Sequence, residues 1–299
     1  MRMGIDYQRL YEYRFRDIDQ ESRQAVWQEI AAYLYGRMGA PTKMLDPAAG
    51  RCEFINAVPA AERWAVDTVD HNEFRHPDLK VIIADILDAE LPPAYFDGIF
   101  VSNFLEHLPS QDGVGTVLAK LYASMEPGGT LAVLGPNFRY CVKEYFDCAD
   151  HTLALTHVAI AEHLYAAGFE VTTVIPRFLP YSFRGRIPPS PALTRIYLRS
   201  PALWRVLGKQ YLVLGVRAKR TARSNAGECA RDSAGSGQQV LVPDEHRVGA
   251  DMVGLPGRAE GGQGRSIRLP VVEEAGLAVS DEEGRTLRAP VVPGALGLP

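Results

Sequence analysis

The stretch Met44–Phe54 reads MLDPAAGRCEF. A short apolar strand runs into an acid, Asp46, and then into the small residues Ala48, Ala49 and Gly50. Glu53 and Phe54 open a helix. Small side chains at such a turn let backbone approach a ligand, and a helix start offers free N–H groups, so the corner is a candidate nucleotide-binding turn. Many α/β chains turn from strand to helix in this way, so the corner has to be weighed together with the rest of the chain.

Beyond the corner, strands and helices alternate. Strands are expected at Lys43–Asp46, Trp64–Val69, Val81–Ala84, Phe96–Ser102, Thr130–Leu134, Val171–Ile175 and Tyr211–Val216. Helices are expected at Asp17–Met38, Glu53–Ala60, Gln111–Met125 (stopped by Pro127, Gly128 and Gly129) and Thr156–Ala167. Val26, Trp27, Ile30, Tyr33 and Leu34 give the first of these an apolar face at helical spacing. Such alternation implies parallel βαβ units and a doubly wound α/β sheet, with ligands beyond the carboxyl ends of the strands. Asp46, Asp67, Asp85, Asn103 and Asn137 all fall at those ends. Asp67 follows Gly50 by 17 residues, close to the roughly 20 at which an acid meets a ribose in nucleotide folds; a local turn cap is the alternative. Asp85 is placed to accept from an adenine amino group.

Composition bounds the function. The chain has 299 residues, 46% hydrophobic and 23% charged, with a net charge of −4, which argues against nucleic acid as a partner. No apolar run marks a signal peptide or membrane span, and a cytoplasmic location is expected. Cys52, Cys141, Cys148 and Cys229 form no CxxC pair; they fit reduced thiols, and no metal site is expected. From Ala222 to Pro299 there is no Phe, Tyr, Trp or Lys, so 221–299 is expected to be a low-complexity, disordered tail, with a partner-binding role as the alternative. Residues 1–220 are then the working domain.

Blocks now line up in order: MLDPAAGRCEF, WAVDTVD, VIIADILD, FDGIFVSNFLEHL, MEPGGTLAVLGPN and QYLVLGVRA. From about Tyr11 to Ala218 the chain resembles a class I S-adenosylmethionine-dependent methyltransferase. That resemblance implies a Rossmann-like sheet of seven strands, the last antiparallel, with S-adenosylmethionine as cofactor. It places Asp46 and Gly50, with Ala48 in their loop, beside the methionine part of the cofactor. Asp67 would hold the ribose, Asp85 and the Ile86 backbone the adenine, and Asn103 the methionine side. The family's glycines are replaced at Ala48 and Cys52. The segments PNFRYCVKEYFDCADHTLALTH and GFEVTTVIPRFLPY resemble a bacterial subgroup associated with polysaccharide biosynthesis, which implies a small-molecule or glycan hydroxyl as acceptor.

A hydroxyl acceptor needs its proton removed, and His107 and His151 are the candidate bases. Asp150 precedes His151 directly and would raise its basicity if the two face each other, which neighbours in sequence need not do; for His107 the alternative is a packed histidine bonded to backbone. Glu106, Tyr140, Tyr145 and Asp147 are secondary candidates. Tyr7–Arg16, aromatic and basic, reads either as a solvated lead-in or as a flap over the cofactor with an arginine meeting a carboxylate. Residues 178–210 contain no Asp or Glu but six Arg or Lys: Arg184, Arg186, Arg195, Arg199, Arg205 and Lys209. This insertion, one amphipathic helix or two kinked near Pro201, is either a cover whose arginines pair with acids elsewhere or a contact for a sugar phosphate or an anionic membrane surface. Two other readings remain: a nicotinamide-dependent oxidoreductase, and a non-catalytic cofactor-binding partner protein.

Overall fold

The computed structural model describes residues 6–16, 19–181 and 190–219. The expectations for 221–299, for Cys229 and for Arg184 and Arg186 of the basic insertion lie outside the described residues.

Two helices precede the sheet, α1 (Tyr7–Phe15) and α2 (Gln20–Arg37). Then come β1 (Lys43–Asp46), α3 (Glu53–Ala57), β2 (Glu62–Asp67), β3 (Lys80–Ile83), β4 (Phe96–Ser102), α4 (Gln111–Ser124) and β5 (Met125–Pro136). The chain continues through α5 (Phe138–Cys141), α6 (His157–Ala166), β6 (Glu170–Ile175), α7 (Pro191–Leu198), α8 (Pro201–Leu207) and β7 (Gln210–Val216). The seven strands lie in the order β3-β2-β1-β4-β5-β7-β6, and β7 runs antiparallel to both its neighbours. The doubly wound α/β sheet with an antiparallel last strand is therefore present, a Rossmann-like methyltransferase fold.

Strand periodicity builds two cores. Met44, Phe100, Ala132, Leu134, Leu212 and Leu214 face α2, α3, α7 and α8. Their neighbours Leu45, Ile99, Val101, Leu131, Val133 and Val213 face α4 and α6. Successive side chains point to opposite faces, so a sheet covered on both sides reads as a continuous apolar run. Apolar burial on both faces holds the strand ends in place, at roughly 25 cal/mol per Å² of apolar surface removed from water.

The structure departs from the pattern reading in three places and, in a fourth, takes one of its two alternatives. The lead-in is a helix, α1, capped by Asp6, which accepts from the Arg9 amide at 3.1 Å. α3 stops at Ala57, ahead of Pro59, rather than reaching Ala60. β5 begins at Met125, so Pro127, Gly128 and Gly129 do not stop α4 but sit inside the strand. A bulge between Phe96 and Gly98 absorbs them, and Gly128 adopts φ +94°. The insertion folds as two helices, each with a proline in its first turn, and Arg195 of α7 forms an ion pair with Glu29 of α2. For that arginine, pairing with an acid elsewhere is the outcome.

Gly98 lies where β4 passes β1. A Cβ there would sit 2.3 Å from Met44 Sδ and 2.5 Å from Pro41 Cγ. The thioether can move, but the proline ring cannot. Gly98→Ala is expected to destabilise the protein by about 1–3 kcal/mol through overpacking, read as a lowered midpoint in urea with the folded circular dichroism unchanged. An unaltered midpoint would show that the corner is looser than its contacts imply.

Candidate active site

The turn after β1 is pinned from β2. Asp67 Oδ2 accepts the Gly50 amide at 2.7 Å and Oδ1 accepts the Val69 amide at 3.0 Å. The acid thus caps its own turn and also ties two strand ends together. Each carboxylate oxygen keeps a second lone pair for an outside donor. Gly50 adopts φ +50°, and a Cβ built on it would meet nothing within 4 Å, so the loop faces open space. Cys52, where the family has glycine, adopts φ 60°. A left-handed conformation costs an L-residue roughly 1–2 kcal/mol, so the replacement is tolerated at the price of strain. Ala48 keeps φ negative, its amide 3.4 Å from Asp46 Oδ1.

Asp46 is 3% exposed and makes no ion pair among the described residues. Burial, reinforced by Asp67 and Glu53, pushes its pKa up to about 8. Asp85 is exposed beyond β3, its side chain accepting the Leu87 amide at 2.8 Å, and Ile86 is buried beside it. Asn103 is exposed just after β4 with φ 48°, which asparagine tolerates better than most residues. Asn137, by contrast, is fully buried and its amide bonds the Pro176 carbonyl at 2.7 Å and His157 Nδ1 at 2.9 Å. It ties β5 to β6 and α6 and serves packing.

A second group gathers across the same edge. Glu106 and His107 lie in a short 3₁₀ turn after β4. The Thr152 and Leu153 amides bond the Glu106 carbonyl at 2.9 and 3.1 Å, bringing in the loop that carries Asp150 and His151. The His107 and His151 rings meet edge to face at 4.9 Å. Asp150 does not serve His151 as its adjacency predicts. Its carboxylate turns to an ion pair with Arg14 and lies 3.5 Å from His107 Nδ1. Burial would raise Asp150, but Arg14 and His107 outweigh it and hold its carboxyl below the usual range. Burial beside His107 takes His151 down to about 4, so its imidazole is neutral near pH 7 and a weak proton acceptor. His107 Nδ1 sits 2.9 Å from the Asp150 carbonyl oxygen. Only an Nδ1–H satisfies that contact, so in the neutral ring Nε2 is the nitrogen free to accept. Tyr145 is buried, bonding the Leu153 carbonyl and the Leu155 amide at 2.7 and 3.1 Å, and is structural. Tyr140 stacks on His157, and Asp147 is exposed.

α1 lies over this edge. In its last turn Arg14 holds Asp150, and the adjacent Phe15 lies against Arg23 and Arg51, whose guanidinium carbons are 4.8 and 4.9 Å from its ring centre. Arg23 in turn pairs with Glu53 of α3. Tyr11, one turn earlier in α1, is pushed up to about 12 by burial and by Asp150, with Asp67 and Glu106 adding to the rise. An arginine of the lead-in does meet a carboxylate, and its target, Asp150, was not legible in the sequence.

Because folded Asp46 has a raised pKa, the folded state binds a proton that the unfolded chain has released. That contribution to stability is full below the ordinary 3.8 and is lost as pH rises through about 8. The wild-type melting temperature is expected to fall between about pH 5 and about pH 9, and Asp46→Asn, which stays neutral, to flatten that fall. Parallel profiles for the two proteins would rule out Asp46 as the source.

Comparison with known proteins fits this geometry. A search of curated proteins found no match. Among solved structures, an S-adenosylmethionine-dependent methyltransferase from Archaeoglobus fulgidus superposes with a TM-score of 0.50 at 21% identity, over 71% of this chain and 100% of that one. A chain of the complex between the Trm112 methyltransferase activator of Haloferax volcanii and a candidate methyltransferase superposes with a TM-score of 0.52 at 15% identity, over 72% of this chain and 98% of that one. Both likenesses are of fold. Residues 37–133, the segment carrying Asp46, Gly50, Asp67, Asp85, Asn103, Glu106 and His107, match the family model described as a methyltransferase domain.

Proposed function

We propose that this protein transfers the methyl group of S-adenosylmethionine to a hydroxyl of a carbohydrate or related small molecule. The observation that carries the reading is the pairing of two groups on one sheet edge. Nucleoside-type acids, Asp67 and Asp85, lie at the ends of β2 and β3, and the His107–Asp150 pair, which Arg14 of α1 reaches, lies beyond β4 and β5. The match to a methyltransferase domain favours it over a nicotinamide-dependent oxidoreductase.

The residues present suit the cofactor. Asp67 offers lone pairs to ribose hydroxyls, Asp85 and the Ile86 backbone suit the adenine, and Gly50 opens the loop before them. Asp46, Ala48 and Asn103 fit the methionine end. S-adenosylmethionine supplies the electrophile, a methyl on a positively charged sulfur. The chain's own task is to align the acceptor and deal with its proton, and alignment alone is worth roughly 7–11 kcal/mol at best. His107, bonded through Nδ1 to the Asp150 carbonyl, is the candidate base, and His151 lies against it with a ring that is neutral near pH 7. The sugar acceptor rests on the resemblance of the 136–157 segment to proteins of polysaccharide biosynthesis. An anionic membrane contact would use the exposed Leu193, Ile196, Val206 and Leu207 of α7 and α8 with their arginines. No helix among the described residues is long and apolar enough to cross a membrane.

Asp67→Asn is expected to weaken S-adenosylmethionine binding by about 1.5–3 kcal/mol, roughly ten- to a hundredfold, in titration calorimetry. Unchanged affinity in a folded variant would remove Asp67 from the cofactor. His107→Ala is expected to lower kcat by about 10²–10⁴-fold while leaving that affinity in place. Wild-type turnover to S-adenosylhomocysteine across a panel of glycans and phenols tests the acceptor class. Binding without turnover on any of them would favour the non-catalytic reading. Residues 1–220 are proposed as the whole catalytic unit, so a chain ending there should bind the cofactor as the full chain does.

A further inference from the structure

The clamp between the Glu106 carbonyl and the Thr152–Leu153 amides has a consequence for the side chains it brings together. Glu106 is 1% exposed and neither of its carboxylate oxygens has a hydrogen-bond partner among the described residues. His151 Nδ1 is buried and unpartnered as well. One ligand atom from each of Glu106, His107 and His151 lies within 4.8 Å of the others. His107 is already set as a ligand would be: Nδ1–H is bonded to the Asp150 carbonyl at 2.9 Å, and Nε2 faces Glu106 Oε1 at 4.0 Å. A metal-binding histidine characteristically has its far nitrogen fixed by a carbonyl or carboxylate.

The charges point the same way. Two carboxylates, Glu106 and Asp150, are buried here, and Arg14 pairs with Asp150. Glu106 is left without an ion-pair partner closer than His107, and an isolated buried carboxylate is costly unless neutralised or paired. Cys148, Asp150 and His151 form a second possible set, but Asp150 Oδ1 is engaged by Arg14 and Cys148 lies 3.6 Å from the Tyr181 hydroxyl.

We propose that Glu106, His107 and His151 bind one divalent transition-metal cation of the manganese-to-zinc series. Two imidazoles and a carboxylate suit such ions and leave coordination positions open. Metal–ligand bonds of about 2.0–2.2 Å require the three donors to draw together slightly, which side-chain rotation supplies. Sequence alone offered no such site, because its ligands come from two loops 44 residues apart. In the methyl-transfer reading, on which this use of the ion rests, an open position takes the acceptor's hydroxyl oxygen. The cation then lowers that hydroxyl's pKa, and the proton leaves to water. Binding of the ion itself does not depend on that reading.

The test uses the full chain, freed of metal with a chelator and dialysed, and titrated with Mn²⁺, Co²⁺ and Zn²⁺ by calorimetry. Visible absorption of the Co²⁺ form reports the ligands. The expected result is one cation per chain, with Glu106→Gln and His151→Asn each weakening binding by about tenfold or more and changing the Co²⁺ spectrum. Circular dichroism shows that each variant is folded; should one unfold, the other decides. Absence of stoichiometric binding by all three ions, or affinity and spectrum unchanged in the folded variants, overturns the site. A parallel titration with S-adenosylmethionine separates the two readings. Cofactor binding without a cation retains the function and removes the metal site; a cation bound without cofactor does the reverse.

Discussion

One carboxylate joins the turn after β1 to the end of β2. Asp67 accepts the amides of Gly50 and Val69, so the end of β2 fixes the loop that leaves β1. The loop can then hold backbone that its residues resist, with Gly50 and Cys52 both at positive φ. A family glycine replaced by cysteine would relax such a loop were it not tied from outside. Behind it, Met44 and Leu45 drop into opposite cores, so the anchor for the turn is the packed sheet itself.

The same edge concentrates costly polar burial. Asp46, Glu106 and Asp150 are each 3% exposed or less, and each is handled differently. Asp46 is neutralised by a raised pKa. Asp150 stays charged because Arg14 and His107 face it. Glu106 has only the more distant His107 facing it, 4.0 Å away, and burial outweighs that and raises it. Packed apolar residues would stabilise a domain of this size more simply, so buried acids at a ligand-binding edge point to chemistry. α1 adds to this: it buries no residue fully of its own and is held chiefly by charge and ring contacts to the edge it covers.

The sequence by itself determined the strand and helix order, the position of Asp67 at a strand end and the nucleotide-type corner at Gly50. Those features are local. Side-chain alternation, small-residue turns and caps act over a few residues, so β1 and β4 were readable to the residue, and β2 and β3 within two. Tertiary structure decided the rest. The start of β5 depended on a bulge against β4, and the helicity of 7–15 on surfaces to which α1 docks. Asp150 chose Arg14, 136 residues away, over the histidine next to it, because neighbours in an irregular loop need not face each other. The low basicity of His151 and the meeting of Glu106 with two imidazoles arise only when loops from different strands are clamped side by side, since burial and charge are properties of the packed edge and not of any segment.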